Sequence, residues 1–219
     1  MSLPIYICRR AEEPIVIDGC LEESAWAKAD VASLVRNHDG GPASFRTEAW
    51  LLWDDDYLYV AFACEDPDVW GTMLERDSHL WEEEVVEVFL DANRNGRLYF
   101  EFEVSPRNVQ LDLMVVKRPG EPPQTFFEWD CQGWRTAVRV EGTLDNRTDE
   151  DRGWTVEMAI PLVEIYTAPR LPKPGDVWRL GLYRIERPQD AAPHFYAWAP
   201  TRAETYHVPE RFGYLVFMG

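Results

Sequence analysis

Strict alternation of apolar and polar side chains, renewed in one short segment after another, most narrows what this chain can fold into. Leu98, Phe100, Phe102 and Val104 fall on one side of an extended segment, with Tyr99, Glu101 and Glu103 on the other. The same period of two recurs in Trp154 to Ile160 and in Trp134 to Val140. A period of two places successive side chains on opposite faces of a strand, so these read as half-buried strands of antiparallel sheets. More apolar segments follow the same rhythm. Glu48 to Trp53 and Tyr57 to Cys64 flank the turn Asp54-Asp55-Asp56, and Glu84 to Leu90 runs into the turn Asp91 to Gly96. Gln110 to Val116, Val177 to Glu186, His194 to Trp198 and Tyr214 to Phe217 complete the set. Helix is confined to two short candidates, Glu22 to Ala29 and Leu162 to Tyr166. The expected fold is all-β, an antiparallel β-sandwich of jelly-roll type with one or two short helices. Pro119 to Gln124 and Asn146 to Gly153 are loop-sized rather than linkers, so residues 1–219 read as a single domain.

Charge removes whole classes of partner. The formal net charge of −17 is the wrong sign for nucleic acid and for an anionic membrane surface. No apolar run is long enough to span a bilayer. The first ten residues lack the apolar segment of a secretory leader, which points to the cytoplasm if the N-terminus is native and to the outside of the cell if a leader was removed. The four cysteines form no CxxC pair and are too sparse for a disulfide framework.

Four segments, in order along the chain, give it a resemblance to a known family. They are Ile17-Asp18-Gly19-Cys20-Leu21-Glu22-Glu23-Ser24-Ala25-Trp26, Leu52 to Phe62 with Glu65-Asp66-Pro67, Leu80 to Asp91, and His207 to Gly213. With Trp154 to Pro161 they resemble the family 9 carbohydrate-binding modules and their family-9-like, DOMON-like relatives. The resemblance implies a lectin-like, non-catalytic β-sandwich that holds a sugar end between two aromatic rings, with calcium at structural sites. It implies Trp81 and Tyr206 as the two walls and Glu87 as a polar anchor. Glu103 falls where the family pocket carries an arginine, and Ala203 where an amide is expected. These departures put a β-1,4-linked glucan or xylan end in question as the ligand. An aromatic clamp suits a pyranose because its C–H faces are apolar and its hydroxyl rim polar.

The residues themselves keep other readings open. Trp81 could instead cap the core, and Glu87 could belong to a structural ion pair. Arg184, which shares a strand face with Leu182 and Glu186, could replace the missing arginine or form a salt bridge. Asp91, Asn93 and Asn95 look like the first half of a calcium loop, but Phe102 stands where an EF-hand needs its glutamate, and an Asx-rich turn explains them too. Two further functions are carried as alternatives. One is a glycoside-active enzyme, for which Glu83 and Glu87 lie on one side of a strand. The other is a haem or redox-partner domain using His79, His194, His207, Met73 or Met114.

Overall fold

The alternating segments form strands with little adjustment. The computed structural model describes residues 2–219, and Met1, part of the expected 1–219 module, lies outside the described residues. In chain order the strands are β1 (Ile5–Arg10), β2 (Val31–Ser33), β3 (Val35–Arg36), β4 (Thr47–Trp53), β5 (Tyr57–Glu65), β6 (Val85–Asp91) and β7 (Leu98–Val104). They continue as β8 (Gln110–Val116), β9 (Gln124–Phe126), β10 (Arg135–Glu141), β11 (Gly153–Pro161), β12 (Val177–Glu186), β13 (His194–Ala197) and β14 (Gly213–Phe217).

One layer is β10-β11-β5-β4, the other β14-β12-β6-β7-β8-β9, and β1 joins them. Ile5 to Cys8 pair in parallel with β14, and Arg9 and Arg10 pair in parallel with β4. A strand that passes from one sheet to the other makes a corner of a sandwich. These pairings through β1 are the departure from the expected all-antiparallel arrangement. Both helix candidates shorten to single 3-10 turns, Trp26–Lys28 and Leu162–Glu164.

The inward residues of the two layers form the main core, in which Phe62, Val88, Phe102, Trp154, Met158 and Leu182 are fully or almost fully buried. Each such side chain contributes about 1.5–3 kcal/mol by leaving water. Strands β6 and β7 are not half-buried, however. Every residue of β6 is buried, and on β7 only Leu98 is partly exposed. The outer face of this layer carries a second apolar cluster built on Phe89, Tyr99, Leu113, Tyr183 and Phe212. The expectation of a half-buried strand over Leu98 to Val104 is therefore corrected, because loops from distant parts of the chain wall in the face that carries Tyr99, Glu101 and Glu103. The outer face of the opposite layer is closed by residues 11–29.

Candidate functional site

Alternation decides which side chains reach the walled outer face. On β6, Val86, Val88 and Leu90 enter the core between the layers, which turns Val85, Glu87 and Phe89 outward. On β7, Phe100, Phe102 and Val104 point inward, which turns Tyr99, Glu101 and Glu103 outward. The antiparallel register sets Glu87 opposite Glu103 and Phe89 opposite Glu101. On the other flank of β6, Tyr183 of β12 is opposite Glu87. Three carboxylates thus meet on one floor, with an oxygen from each of Glu87, Glu101 and Glu103 within 4.8 Å of the others.

Above this floor is a cavity of about 420 Å³. On one side stands the 3-10 turn Leu80–Glu82, which carries Trp81, half-buried at the lip. The rings of His79 and Trp81 stack at 4.5 Å, and Phe127 lies 6.2 Å from Trp81. Arg187 pins this turn, donating to the carbonyl of Trp81 at 2.6 Å and to that of Glu83 at 3.2 Å. The far side is formed by Phe195 of β13 and by residues 204–207.

Burial governs the charge state of the floor. Glu87 and Glu103 are pushed well above the ordinary carboxylate range by desolvation, reinforced by the neighbouring carboxylates. Glu101, also raised by burial, is pushed up to about 7. Both oxygens of Glu103 and Oε2 of Glu101 are buried and find no partner beyond one another, Glu103 keeping the proton and Glu101 accepting from it, while the buried Tyr183 hydroxyl has no partner. The backbone amide of Trp81 lies near Glu103 and steadies its charged form without completing a hydrogen bond. His207, pushed down to about 4 by burial, is neutral at pH 7 and sits 2.8 Å through Nδ1 from the Tyr99 hydroxyl.

The expected site residues separate cleanly. Trp81, Glu87, Glu103 and Tyr206 all line the cavity. Tyr206 is not a free-standing plate. One face of its ring stacks on Tyr183 at 4.1 Å, and its hydroxyl donates to the carbonyl of Arg184 at 2.8 Å. Phe195 and His207 supply additional aromatic surface on that side. Arg184 is not in the cavity, which corrects its candidacy as a ligand contact. Its register partner is Val86 rather than Glu87, so its side chain enters the interlayer space. There it is fully buried and donates to Thr47 Oγ1 at 3.0 Å, to the Glu65 carbonyl at 2.7 Å and to Asp66 at 3.0 Å, besides pairing with Glu186. Sequence reasoning missed Glu101 and Phe127 altogether. Glu101 was recoverable, since it shares a strand face with Glu103.

The Asp91 turn is tied by its own side-chain to backbone hydrogen bonds, while Asp91 Oδ1 stays buried and unmatched. Asp91 Oδ2 accepts from the Gly96 amide, Asn93 Oδ1 from Asn95 and Asn95 Oδ1 from Arg97, at 2.8, 3.1 and 2.7 Å. These oxygens are spent on three backbone amides rather than gathered around one point. Among the described residues, the groups that could gather a metal are carboxylate-only, and none includes Asp91 or a histidine. Two of these groups contain a paired arginine, Arg184 at Asp66 and Glu186, and Arg76 at Asp112 and Asp130. Among the described residues no Lys or Arg lines the cavity above Glu87, Glu101 and Glu103.

Residues 17–219 match the family described as carbohydrate family 9 binding domain-like. A solved structure from Bacteroides uniformis superimposes with a TM-score of 0.76 at 18% identity, covering 99% of this chain and 100% of that one. A carbohydrate binding module family 9 from Caldicellulosiruptor kristjanssonii in complex with cellotriose does so with a TM-score of 0.68 at 18% identity, covering 99% and 94%. At that identity these likenesses establish the fold. In sequence, the chain is 28% identical over 151 residues to endo-1,4-beta-xylanase C of Paenibacillus barcinonensis, covering 69% of this chain but only 12% of that enzyme.

Proposed function

The chain belongs to the carbohydrate family 9 binding domain-like family, and on that premise we propose that it binds the end of a carbohydrate chain, without catalysis, in the cavity above β6 and β7. The observation that carries this reading is the pairing of an aromatic lip at Trp81 with a buried carboxyl floor in one cavity. A pyranose has the same division, with apolar faces for the rings and a hydroxyl rim for the floor. The floor residues Glu87 and Glu103, holding their protons, can donate to ring hydroxyls as well as accept from them.

The arrangement does not suit glycoside hydrolysis. That chemistry sets two carboxyl groups on either side of the scissile bond. Here Glu87, Glu101 and Glu103 all rise from one sheet face. Glu83, the other acid considered for that role, is committed to Thr72, accepting from its amide at 2.7 Å and from its hydroxyl. Among the described residues no helix is long and apolar enough to cross a membrane. A polymer end as ligand would place the module outside the cell, a short oligosaccharide inside it.

A glycan panel followed by calorimetry tests the proposal. Trp81 is half-buried at the lip, so Trp81→Ala should leave the unfolding transition in place. It should weaken binding about tenfold to a hundredfold, the scale of one lost aromatic contact. Unchanged affinity in this variant would move the site elsewhere.

A further inference from the structure

The cavity floor gathers three buried carboxyl groups, and among the described residues no Lys or Arg lines the cavity to answer them. Glu87, Glu101 and Glu103 are at most 4% exposed, and their oxygens lie within 4.8 Å of one another. Buried carboxylates elsewhere keep a partner on at least one oxygen, although Glu84 Oε1, Asp91 Oδ1 and Glu186 Oε1 are themselves unmatched. Glu157 accepts from the Trp26 indole at 2.9 Å and from the amides of Asp18 and Gly19 at 3.0 and 2.9 Å. Asp66 and Glu186 hold Arg184. Glu103, in contrast, has only the neighbouring carboxyl of Glu101 for a partner and looks into the cavity. The buried, unmatched hydroxyl of Tyr183 lies over Gly181 beneath the Tyr206 ring and outside the cavity lining, so it belongs to the packing of the floor and not to the site. Unmatched buried polar groups are costly, and those that open into a cavity are placed for a ligand to complete.

The rim shows what kind of ligand completes them. His79, Trp81, Phe127, Phe195 and Tyr206 surround the same cavity. Aromatic faces over a carboxylate floor are the chemistry that captures an organic cation, through cation–π attraction above and charge-assisted hydrogen bonds below. An ammonium has three donors and no acceptor, which suits oxygens that lack donors. We propose that the preferred ligand is an amino sugar, a hexosamine unit with a free ammonium group that is seated on Glu87, Glu101 and Glu103. This rests on the sugar-binding reading of the same cavity and names its substrate class.

The proposal has a proton signature. In the empty cavity burial keeps protons on the floor, and a bound ammonium makes at least one carboxyl ionise, releasing that proton to solvent. A neutral sugar calls for no such release. The titratable groups facing the floor are His79 from the Trp81 turn, Glu204, Tyr206 and His207 from the far wall, and Tyr99 and Tyr183 from the sheet. Lys117, beyond β8, acts on His207, which is neutral at the pH of the experiment.

The test compares three β-1,4-linked trimers that differ at one substituent per ring, cellotriose, the glucosamine trimer and the N-acetylglucosamine trimer. Binding is measured by calorimetry at pH 6.5 in two buffers of different ionisation heat, with and without EDTA. The glucosamine trimer should bind at least tenfold more tightly than either neutral trimer and release about one proton per site. Glu103→Gln should bring the preference to within twofold, with Glu101→Gln as a second variant should the first fold poorly. Equal or tighter binding of cellotriose would overturn the amino-sugar assignment and leave the sugar-binding function standing. Binding abolished by EDTA would overturn it in favour of a divalent cation on the floor. Binding of none of the trimers would overturn it together with the proposed site.

Discussion

Two clusters of buried acids occupy opposite faces of the same sheet, and the protein treats them in opposite ways. Between the layers, Asp66, Glu84 and Glu186 gather around Arg184, whose guanidinium also satisfies Thr47 and the Glu65 carbonyl. Burial still pushes Glu84 up to about 11 and Glu186 to about 8. On the outer face of β6 and β7, Glu87, Glu101 and Glu103 have comparable burial and, among the described residues, no Lys or Arg lining their cavity. The first cluster is held by an arginine of the chain itself, although Glu84 Oε1, Glu186 Oε1 and Arg184 Nε stay unmatched, and it locks the layers together. The second has an opening above it and is finished only by something that enters. Acidity alone does not distinguish a structural centre from a binding site; the presence or absence of the answering charge does.

Removing the answering charge should therefore produce the largest effect. Arg184→Met leaves Asp66, Glu84 and Glu186 buried around an apolar side chain. Breaking a buried ion pair from one side costs about 3–5 kcal/mol. Urea unfolding at pH 7 should show that loss, or no folded protein at all. A loss below about 1 kcal/mol would mean that the interlayer acids are not held by this arginine.

The open cluster should respond with the opposite sign. Unfolded, Glu103 titrates near the ordinary carboxylate value; folded, burial holds its proton to much higher pH. The native state then binds more protons than the unfolded state above that ordinary value, and stability falls as pH rises through the window. Glu103→Gln removes this loss. The variant should match the wild type near pH 4 and exceed it at pH 8 by at least about 1 kcal/mol, since each pKa unit is worth about 1.4 kcal/mol. A variant that is less stable than the wild type at pH 8 would show that Glu103 has a partner in the free protein. His207 works at the acid end. Its pKa is lowered to about 4, so it contributes stability at neutral pH that is lost as pH falls from its ordinary value of about 6.5.

How much of this was legible depends on which interactions are local. Alternation along β7 correctly separated Phe100 and Phe102 from Glu101 and Glu103, because a strand's period is built into the backbone. What lies above a face is not encoded in the strand. The walls over Glu101 come from Phe127, Phe195 and residues 204–207, and without them a row of glutamates reads as solvent-facing. Arg184 and Glu87 came from adjacent strands of unknown register, and a shift of one residue decides which face each takes. β1 escaped notice for a similar reason. It is short, ends in Arg9 and Arg10, and exists because β14 and β4, far apart in the sequence, accept it in parallel. The segment Glu22 to Ala29 keeps only the 3-10 turn at Trp26, whose indole is drawn across to Glu157. Gly19, at φ 84°, lets the neighbouring amides reach the same carboxylate, and a Cβ there would stand 2.9 Å from the Arg139 amide nitrogen.

Tyr206 touches both clusters and gives the smallest and most discriminating effect. Its ring lines the cavity and stacks on Tyr183, while its hydroxyl donates to the backbone carbonyl of Arg184, the residue that finishes the interlayer cluster. Tyr206→Phe keeps the ring and deletes one buried hydrogen bond. The expected cost is about 1 kcal/mol in thermal or urea unfolding, with sugar affinity unchanged within about twofold, because the hydroxyl is already engaged. Trp81→Ala should show the reverse pattern, with affinity lost and stability kept. If Tyr206→Phe instead weakened binding at unchanged stability, the hydroxyl would have to leave Arg184 when ligand arrives. The two faces of the sheet would then be linked through this side chain rather than independent.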